Sequence, residues 1–178
     1  MNPITYRTLE AHEIPLICDI DRTEQIGTGY RVESGKLIRM DVVWDAPPWF
    51  EKGSEHSFPY MIHALEEDLA CGGVILGAFD ADRLAGIASF RPHLTETMAQ
   101  LSLLHVSNGY RRQGIAAHLF DQVETLVRQS GAQQLYVSAT PSGSAVGFYL
   151  SRGCILNATP HPQLLELEPE DIHMIKML

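Results

Sequence analysis

The residue pattern predicts an α/β domain built on a mixed sheet, and three observations carry that prediction. Three apolar strands follow one another between residues 72 and 106: "GGVILGAF", "LAGIASF" and "AQLSLLHV". Next comes "GIAAHLFDQVETLVRQSG", in which Ile115, Leu119, Phe120, Val123, Leu126 and Val127 fall on one stripe of a 3.6-residue repeat. A strand, "QQLYVSA", and a short helix, "SAVGFYLSRG", then complete a strand–helix–strand–helix unit fed by the meander.

The remaining elements follow in order. Residues 5–8 read as a short strand, and "LEAHEIPLICDI" has helical spacing with Pro15 near its first turns. "YRVESGKLIRM" reads as two short extended pieces turning at Ser34 and Gly35. "DVVWDAPPWFEKGSEHS", polar, aromatic and carrying paired prolines, reads as an irregular surface loop. "PYMIHALEEDLA" starts a helix at Pro59, with Met61, Ile62, Leu65 and Leu69 on one face. The acidic turn "DADR" joins the first two strands of the meander as a hairpin. Gly131 stops the long helix and Gly153 the short one. The tail offers two strand candidates, "QLLELE" and "IHMIKM", separated by "PED". Without repeats, low-complexity tracts or linkers, residues 1–178 read as one domain.

Composition narrows the function. A 45% hydrophobic, 20% charged chain can bury an ordinary core. A net charge of -9 argues against nucleic acid as partner and is compatible with a cationic substrate. The three cysteines form no CxxC pair and read as reduced thiols. "MNPITYRTLEAHEIPLI" has no basic segment leading into an apolar one, and no apolar run reaches the length of a membrane span, so the expectation is a cytoplasmic protein without a membrane partner. The eight histidines show no HExxH or other close ligand spacing, so no metal is expected.

Two stretches carry chemistry. In the third strand Gln100 and Ser102 alternate as polar positions, but Leu103 and Leu104 are adjacent and the polar position moves to His105. A β-bulge produces such a slip, and so does a strand buried on both faces; spacing alone leaves both open. In "VSNGYRRQGIA", a strand ending at Val106 and a helix starting near Gly114 aim backbone N–H groups and a helix dipole at one point. Gly114 permits close approach of an anion, Ala116 keeps the surface low, and Arg111 and Arg112 can neutralise phosphate oxygens. A solvated basic loop before an amphipathic helix is the other reading. Neither GxxxxGK[ST] nor GxGxxG with a following acidic residue occurs, so nucleotide hydrolysis and dinucleotide redox chemistry lose their main support.

This stretch resembles the acyl-CoA signature of the GNAT N-acetyltransferase superfamily, [QR]-x-x-G-x-[GA] after a bulged strand, here Arg111-x-x-Gly114-x-Ala116. "SAVGFYLSRGC" resembles the second block of that family, with Ala145, Phe148, Tyr149 and Gly153 in place. The resemblance is clear over residues 74–154. It implies a mixed, mostly antiparallel central sheet with a bulged, splayed fourth strand and flanking helices. It also implies acetyl-CoA as cosubstrate, held by a core at 73–154, with acceptor-pocket elements in 1–72 and C-terminal strands in 155–178. By resemblance, the N–H groups of Arg112, Gln113, Gly114, Ile115 and Ala116, with Arg111 beside them, would bind the pyrophosphate. The backbone of Leu104 and Val106 would pair with the pantetheine arm, alongside Ser142, Ala145 and Phe148. The Leu104 N–H would polarise the acetyl carbonyl, and Tyr149 would act as general acid. Two positions depart from the pattern: Gln100 stands where many relatives have a glutamate base, and Ser142 where many have asparagine.

The base is therefore unassigned: water chains, His105 or carboxylates such as Glu24 are candidates, and an amine that enters already neutral would need none. Asp21, Glu24, Tyr30 and Trp44 pair carboxylates with aromatic faces and suit an ammonium, which makes them the candidate acceptor site. None of the cysteines has a positioned base in sequence, which favours direct transfer. The expected function is transfer of acetyl from acetyl-CoA to a primary amine, of a small molecule if residues 44–49 cap a closed pocket, or of a peptide if the groove is open. An acyl-CoA-binding sensing or partner-binding module with little catalysis is the alternative. Exposed strand edges near the C-terminus offer a route to a homodimer.

Overall fold

The computed structural model describes residues 3–53 and 56–178; Ser54 and Glu55, in the stretch read as a loop, lie outside the described residues, as do Met1 and Asn2. In chain order the elements are β1 (Thr5–Thr8), a 3-10 helix (Ala11–Asp19), β2 (Glu24–Glu33), β3 (Lys36–Ala46), α1 (Phe58–Ala70), β4 (Val74–Asp80), β5 (Arg83–Arg91) and β6 (Met98–Val106). A short 3-10 turn (Asn108–Tyr110) leads to α2 (Ile115–Gln129), β7 (Gln134–Ala139), α3 (Gly143–Ser151), β8 (Ile155–Leu156), α4 (Pro162–Leu167) and β9 (Ile172–Met177). Seven strands form the main sheet in the order β1-β4-β5-β6-β7-β9-β8, and β2 and β3 form a separate two-stranded arm. Every pairing in the main sheet is antiparallel except β6 with β7, which α2 connects.

The sheet is covered on both faces. The stripe of α2, Ile115, Leu119, Phe120, Val123 and Val127, packs on one face with Leu76, Ala85, Ala88, Leu101 and Val137. The 3-10 helix and α1 cover the other through Ile14, Ile17 and Leu65 against Ile75, Leu84, Ile87 and Leu103, with Trp49 buried among them. Burying apolar surface on both faces explains why β4 and β5 read as continuous apolar runs.

The slip in β6 is a bulge. Ser89 pairs with Leu103 and Phe90 with Leu101, which leaves Ser102 as the extra residue. The faces exchange across it: Ala99 and Leu101 point to the α2 layer, Leu103 points to the α1 layer, and Leu104 and Val106 return to the α2 layer. A buried carboxylate holds the irregularity in place. Asp68 on α1 accepts from Ser89 Oγ at 2.6 Å, from Arg91 Nε and from Ser102 Oγ, which also lies 3.0 Å from the Ser89 carbonyl. An unpaired carboxylate in that position would be costly, so the bulged serine and its neighbours are fixed together.

Three elements differ from the sequence expectation. Residues 41–46, expected in a loop, continue β3, and Glu24 pairs with Ala46 at its end. Val42, Val43 and Trp44 suit a strand, and the irregular segment starts only at Pro47, which lacks a donor. "QLLELE", expected as a strand, forms α4: Pro162 sits in the first turn, where its missing N–H costs nothing, and Leu164 is the buried anchor. The N-terminal helix is wound as a 3-10 helix around Pro15, which cannot donate to an α-helical ladder.

Removing the buried carboxylate that three donors share should be severe. Asp68→Ala is expected to lower stability by about 3 kcal/mol and Ser102→Ala by about 1 kcal/mol, measured by urea denaturation. Equal and small losses for the two would show that the carboxylate does not hold the bulge.

Candidate active site

The bulge leads into a split in the sheet. β6 and β7 pair only from Met98–Gln134 to Leu101–Val137; past that point β7 follows β9 while β6 runs on with β5. Ser107 N–H donates to Ala85 C=O at 2.9 Å, so by the alternation of an antiparallel ladder His105 also faces β5. Leu104 and Val106 therefore turn their N–H and C=O groups the other way, into the gap from which β7 has withdrawn.

The loop after β6 reverses the chain tightly. Arg112 has φ 61° and Gly114 φ 82°, both left-handed, the second matching the conformational freedom of glycine. α2 starts at Ile115, and His118 N–H donates to Gly114 C=O, so the earlier N–H groups of the turn point outward at the positive end of a 15-residue helix. Gly86 lets the helix settle there, since a Cβ on it would come within 2.8 Å of Ile115 Cγ2. Gln113 and Arg112 are exposed at this end, and Ala116 is half-buried. Arg111 is not turned to solvent. Its Nε donates to Val106 C=O and one terminal nitrogen to Arg22 C=O, each at 3.1 Å, and it pairs with Glu24 at 3.3 Å. Its charge ties the start of β2 to the end of β6, which leaves Arg112 as the arginine of this pair exposed beside the helix N-terminus.

α3 borders the split from the β7 side. Ser142 caps it, accepting from Ala145 N–H at 3.2 Å, with Ser144 Oγ 3.0 Å away. Phe148 and Tyr149 pack against each other and against Phe120 of α2. Tyr149 is buried, and that burial, with Cys154 and Asp171 nearby, pushes its pKa far above the ordinary phenol value, so it stays protonated. Cys154 is also buried, its thiol pushed up to about 11, which removes it as a nucleophile at neutral pH.

β2 crosses the mouth of the split. At one end Asp21 N–H donates to Ser107 Oγ and Asn108 N–H to Asp21 C=O; at the other Tyr30 N–H donates to Pro141 C=O. Gly143 makes the approach possible, because a Cβ there would stand 2.9 Å from Thr28 Cβ. A hollow lies on each side. One, about 410 Å³, is lined by Glu24, Thr28, Arg39, Arg112, Gly143 and Ser144. The other, about 440 Å³, is lined by Trp44, Met40, Pro141, Glu170, Asp171 and Ile172. Tyr30 lines both.

The four residues expected around an ammonium are thus divided. Tyr30 and Trp44 line the second hollow, and Glu24 lies in the first, paired with Arg111. Asp21 lines neither: it accepts from the Thr23 N–H and hydroxyl, which holds it below the usual carboxylate range. The carboxylates beside Trp44 are Glu170 and Asp171, from the "PED" segment, which the sequence marks only as a break between two strands. Trp49 does not cap the hollow; it is buried against His105 at 4.9 Å between rings. Burial under Trp49, with Arg22, Arg111 and His56 nearby, pushes His105 down to about 3, so it is a neutral imidazole and a weak base.

Comparison with known proteins adds the following. The family model described as "Acetyltransferase (GNAT) domain" matches residues 50–158. No curated protein matches by sequence. The fold is similar to the crystal structure of nourseothricin acetyltransferase, with a TM-score of 0.74, 18% identity and 98% of each chain covered. It is also similar to the PaiA N-acetyltransferase from Thermoplasma acidophilum in complex with coenzyme A, at TM-score 0.65 and 15% identity over 99% of each chain. The ribosomal-protein-S18-alanine N-acetyltransferase from Escherichia coli matches at TM-score 0.62 and 17% identity, over 98% of this chain and 93% of that one.

The neutral His105 has a measurable consequence. Unfolded, it takes a proton near its ordinary 6.5; folded, it refuses one until about pH 3. Its contribution is therefore complete above pH 6.5 and lost as pH falls toward 3, at up to ~1.4 kcal/mol per pH unit. Thermal melts of His105→Leu between roughly pH 6 and pH 4 should fall less steeply than those of the native chain; parallel profiles would refute this origin.

Proposed function

The chain belongs to the GNAT acetyltransferase family, and from that premise we propose that it moves an acetyl group from acetyl-CoA directly onto a primary amine of a small molecule. The observation that carries this reading is the pair of hollows on either side of β2, meeting at Tyr30, with β2 anchored just past the ends of β6 and β7 through Asp21 and Tyr30. One has the groups an acyl-CoA needs and the other has the groups an amine needs.

On the donor side, the pyrophosphate rests on the outward N–H groups of residues 112–116, with Arg112 exposed beside them. Arg111 acts here as a strut rather than as a direct phosphate ligand, given its bonds to Val106, Arg22 and Glu24. The pantetheine arm pairs with the free backbone edge of Leu104 and runs past Ser142, Ala145 and Phe148. Val106 keeps its N–H for that pairing, its carbonyl being taken by Arg111. The Leu104 N–H points where charge grows on the acetyl oxygen as the amine attacks. Tyr149 returns a proton to the departing thiolate, and its burial keeps that proton in place at neutral pH.

On the acceptor side, a cavity of about 440 Å³ suits a small molecule. Tyr30 and Trp44 supply aromatic faces, and Glu170 and Asp171 supply negative charge, a combination that favours an ammonium. The chain acts as one domain in this reading: the arm and the C-terminal turn build the acceptor wall, and 73–154 hold the donor. Among the described residues no helix is long and apolar enough to cross a membrane, and we place the enzyme in the cytoplasm, where its three unpaired thiols stay reduced.

Calorimetric titration with acetyl-CoA should give micromolar binding; no binding would overturn the donor site. Tyr149→Phe should then lower kcat by about 10²-fold or more while acetyl-CoA affinity holds. An equal loss of affinity would make Tyr149 a packing residue.

A further inference from the structure

Resting on the acetyl-transfer reading, we infer that Asp171 is the base that takes the proton from the acceptor nitrogen, supplied by the turn before β9 where Gln100 cannot serve. Its position follows from the sheet. Ile172, the first residue of β9, pairs with Ala139, the last residue of β7, so Asp171 stands just beyond the end of β7, leading into the strand that flanks β7 on the side away from β6. The turn is closed by Asp171 N–H donating to Glu168 C=O at 3.2 Å. Asp171 lines the acceptor hollow with Tyr30, Trp44 and Pro141, and its charge is felt by Tyr149 on α3. Asp171 thus lines the acceptor hollow, while Tyr149, packed in the core against Phe120, lies within electrostatic reach of it.

The surroundings suit the task. Burial, with the nearby Glu168, pushes the Asp171 carboxyl up to about 7. Glu168 and Glu170 stand in its own turn, Tyr149 of α3 lies near enough to feel its charge, and Tyr30 and Arg31 of β2 line the same hollow. A base with that affinity is ionised in a large share of molecules at neutral pH and still holds a proton well, the compromise a general base requires. His105, by contrast, lies under Trp49 on the α1 side of the sheet.

The protons balance as follows. Asp171 takes one proton from the entering ammonium, leaving a lone pair on nitrogen. The nitrogen–carbon bond forms at the thioester carbonyl, and the carbon–sulfur bond breaks with its electron pair on sulfur. Tyr149 protonates the sulfur and regains a proton from the second N–H lost as the amide forms. Asp171 sheds its proton to solvent as the product leaves.

Carbon-13 NMR of the aspartate carboxyls of the full chain, with and without acetyl-CoA and with Asp171→Asn to assign the signal, tests this without knowing the acceptor. A midpoint near pH 7 for Asp171 is expected; one near the ordinary ~3.9 overturns the inference. A panel of aminoalkyl, aminosugar and aminoacyl compounds then supplies an acceptor. With it, Asp171→Asn should lower kcat/KM by about 10²-fold, abolish the rise of rate through pH 7 and leave acetyl-CoA affinity unchanged. An unaltered pH profile in the variant overturns the inference. Failure of the native chain to bind acetyl-CoA sinks the transfer reading instead, and the carboxyl midpoint is read independently of it.

Discussion

A single buried carboxylate organises the centre of this molecule. Asp68 reaches from α1 into the sheet and accepts from Ser89, Arg91 and the bulged Ser102. Satisfying it there fixes an extra residue in β6, and the extra residue exchanges the faces of that strand. Beyond the bulge, β6 no longer keeps step with β7, and the two part after Leu101 and Val137. The open backbone edge at Leu104 and Val106 exists because of that departure. A polar network inside a core is thereby linked to a gap at the surface, through the geometry of one bulge.

The arm formed by β2 and β3 crosses the end of the gap and has a hollow on each side. It is anchored by backbone bonds at both ends, at Asp21 beside Ser107 and at Tyr30 beside Pro141. Arg111 strengthens the first anchor with two bonds to carbonyls and an ion pair. A residue whose motif position suggests ligand binding is thus spent on architecture. The reason is physical: the carbonyls of Val106 and Arg22 need donors, and the guanidinium can serve both and Glu24 together.

Burial sets the protonation states around the split in opposite senses. It keeps Tyr149 protonated, keeps His105 neutral and raises the Asp171 carboxyl toward neutrality. A phenol that holds its proton and a carboxylate that gains affinity for one thus lie within electrostatic reach of each other.

The sequence by itself determined the core and the tight loop before α2. The α2 stripe, the meander, the one-residue slip near Ser102 and the Arg111 to Ala116 pattern are local signals, because periodicity and helix-start chemistry act over a few residues. Short segments were less legible: "QLLELE" fits a strand or a helix, and its Pro162 start decided for α4. The tertiary structure alone decided which carboxylates share a cavity with Tyr30 and Trp44. Asp21 and Glu24 lie near Tyr30 in sequence but are spent on a turn and an ion pair, whereas Asp171 lies 141 residues away and arrives through the pairing of β9 with β7. Such proximity comes from strand order and desolvation, which no local pattern encodes.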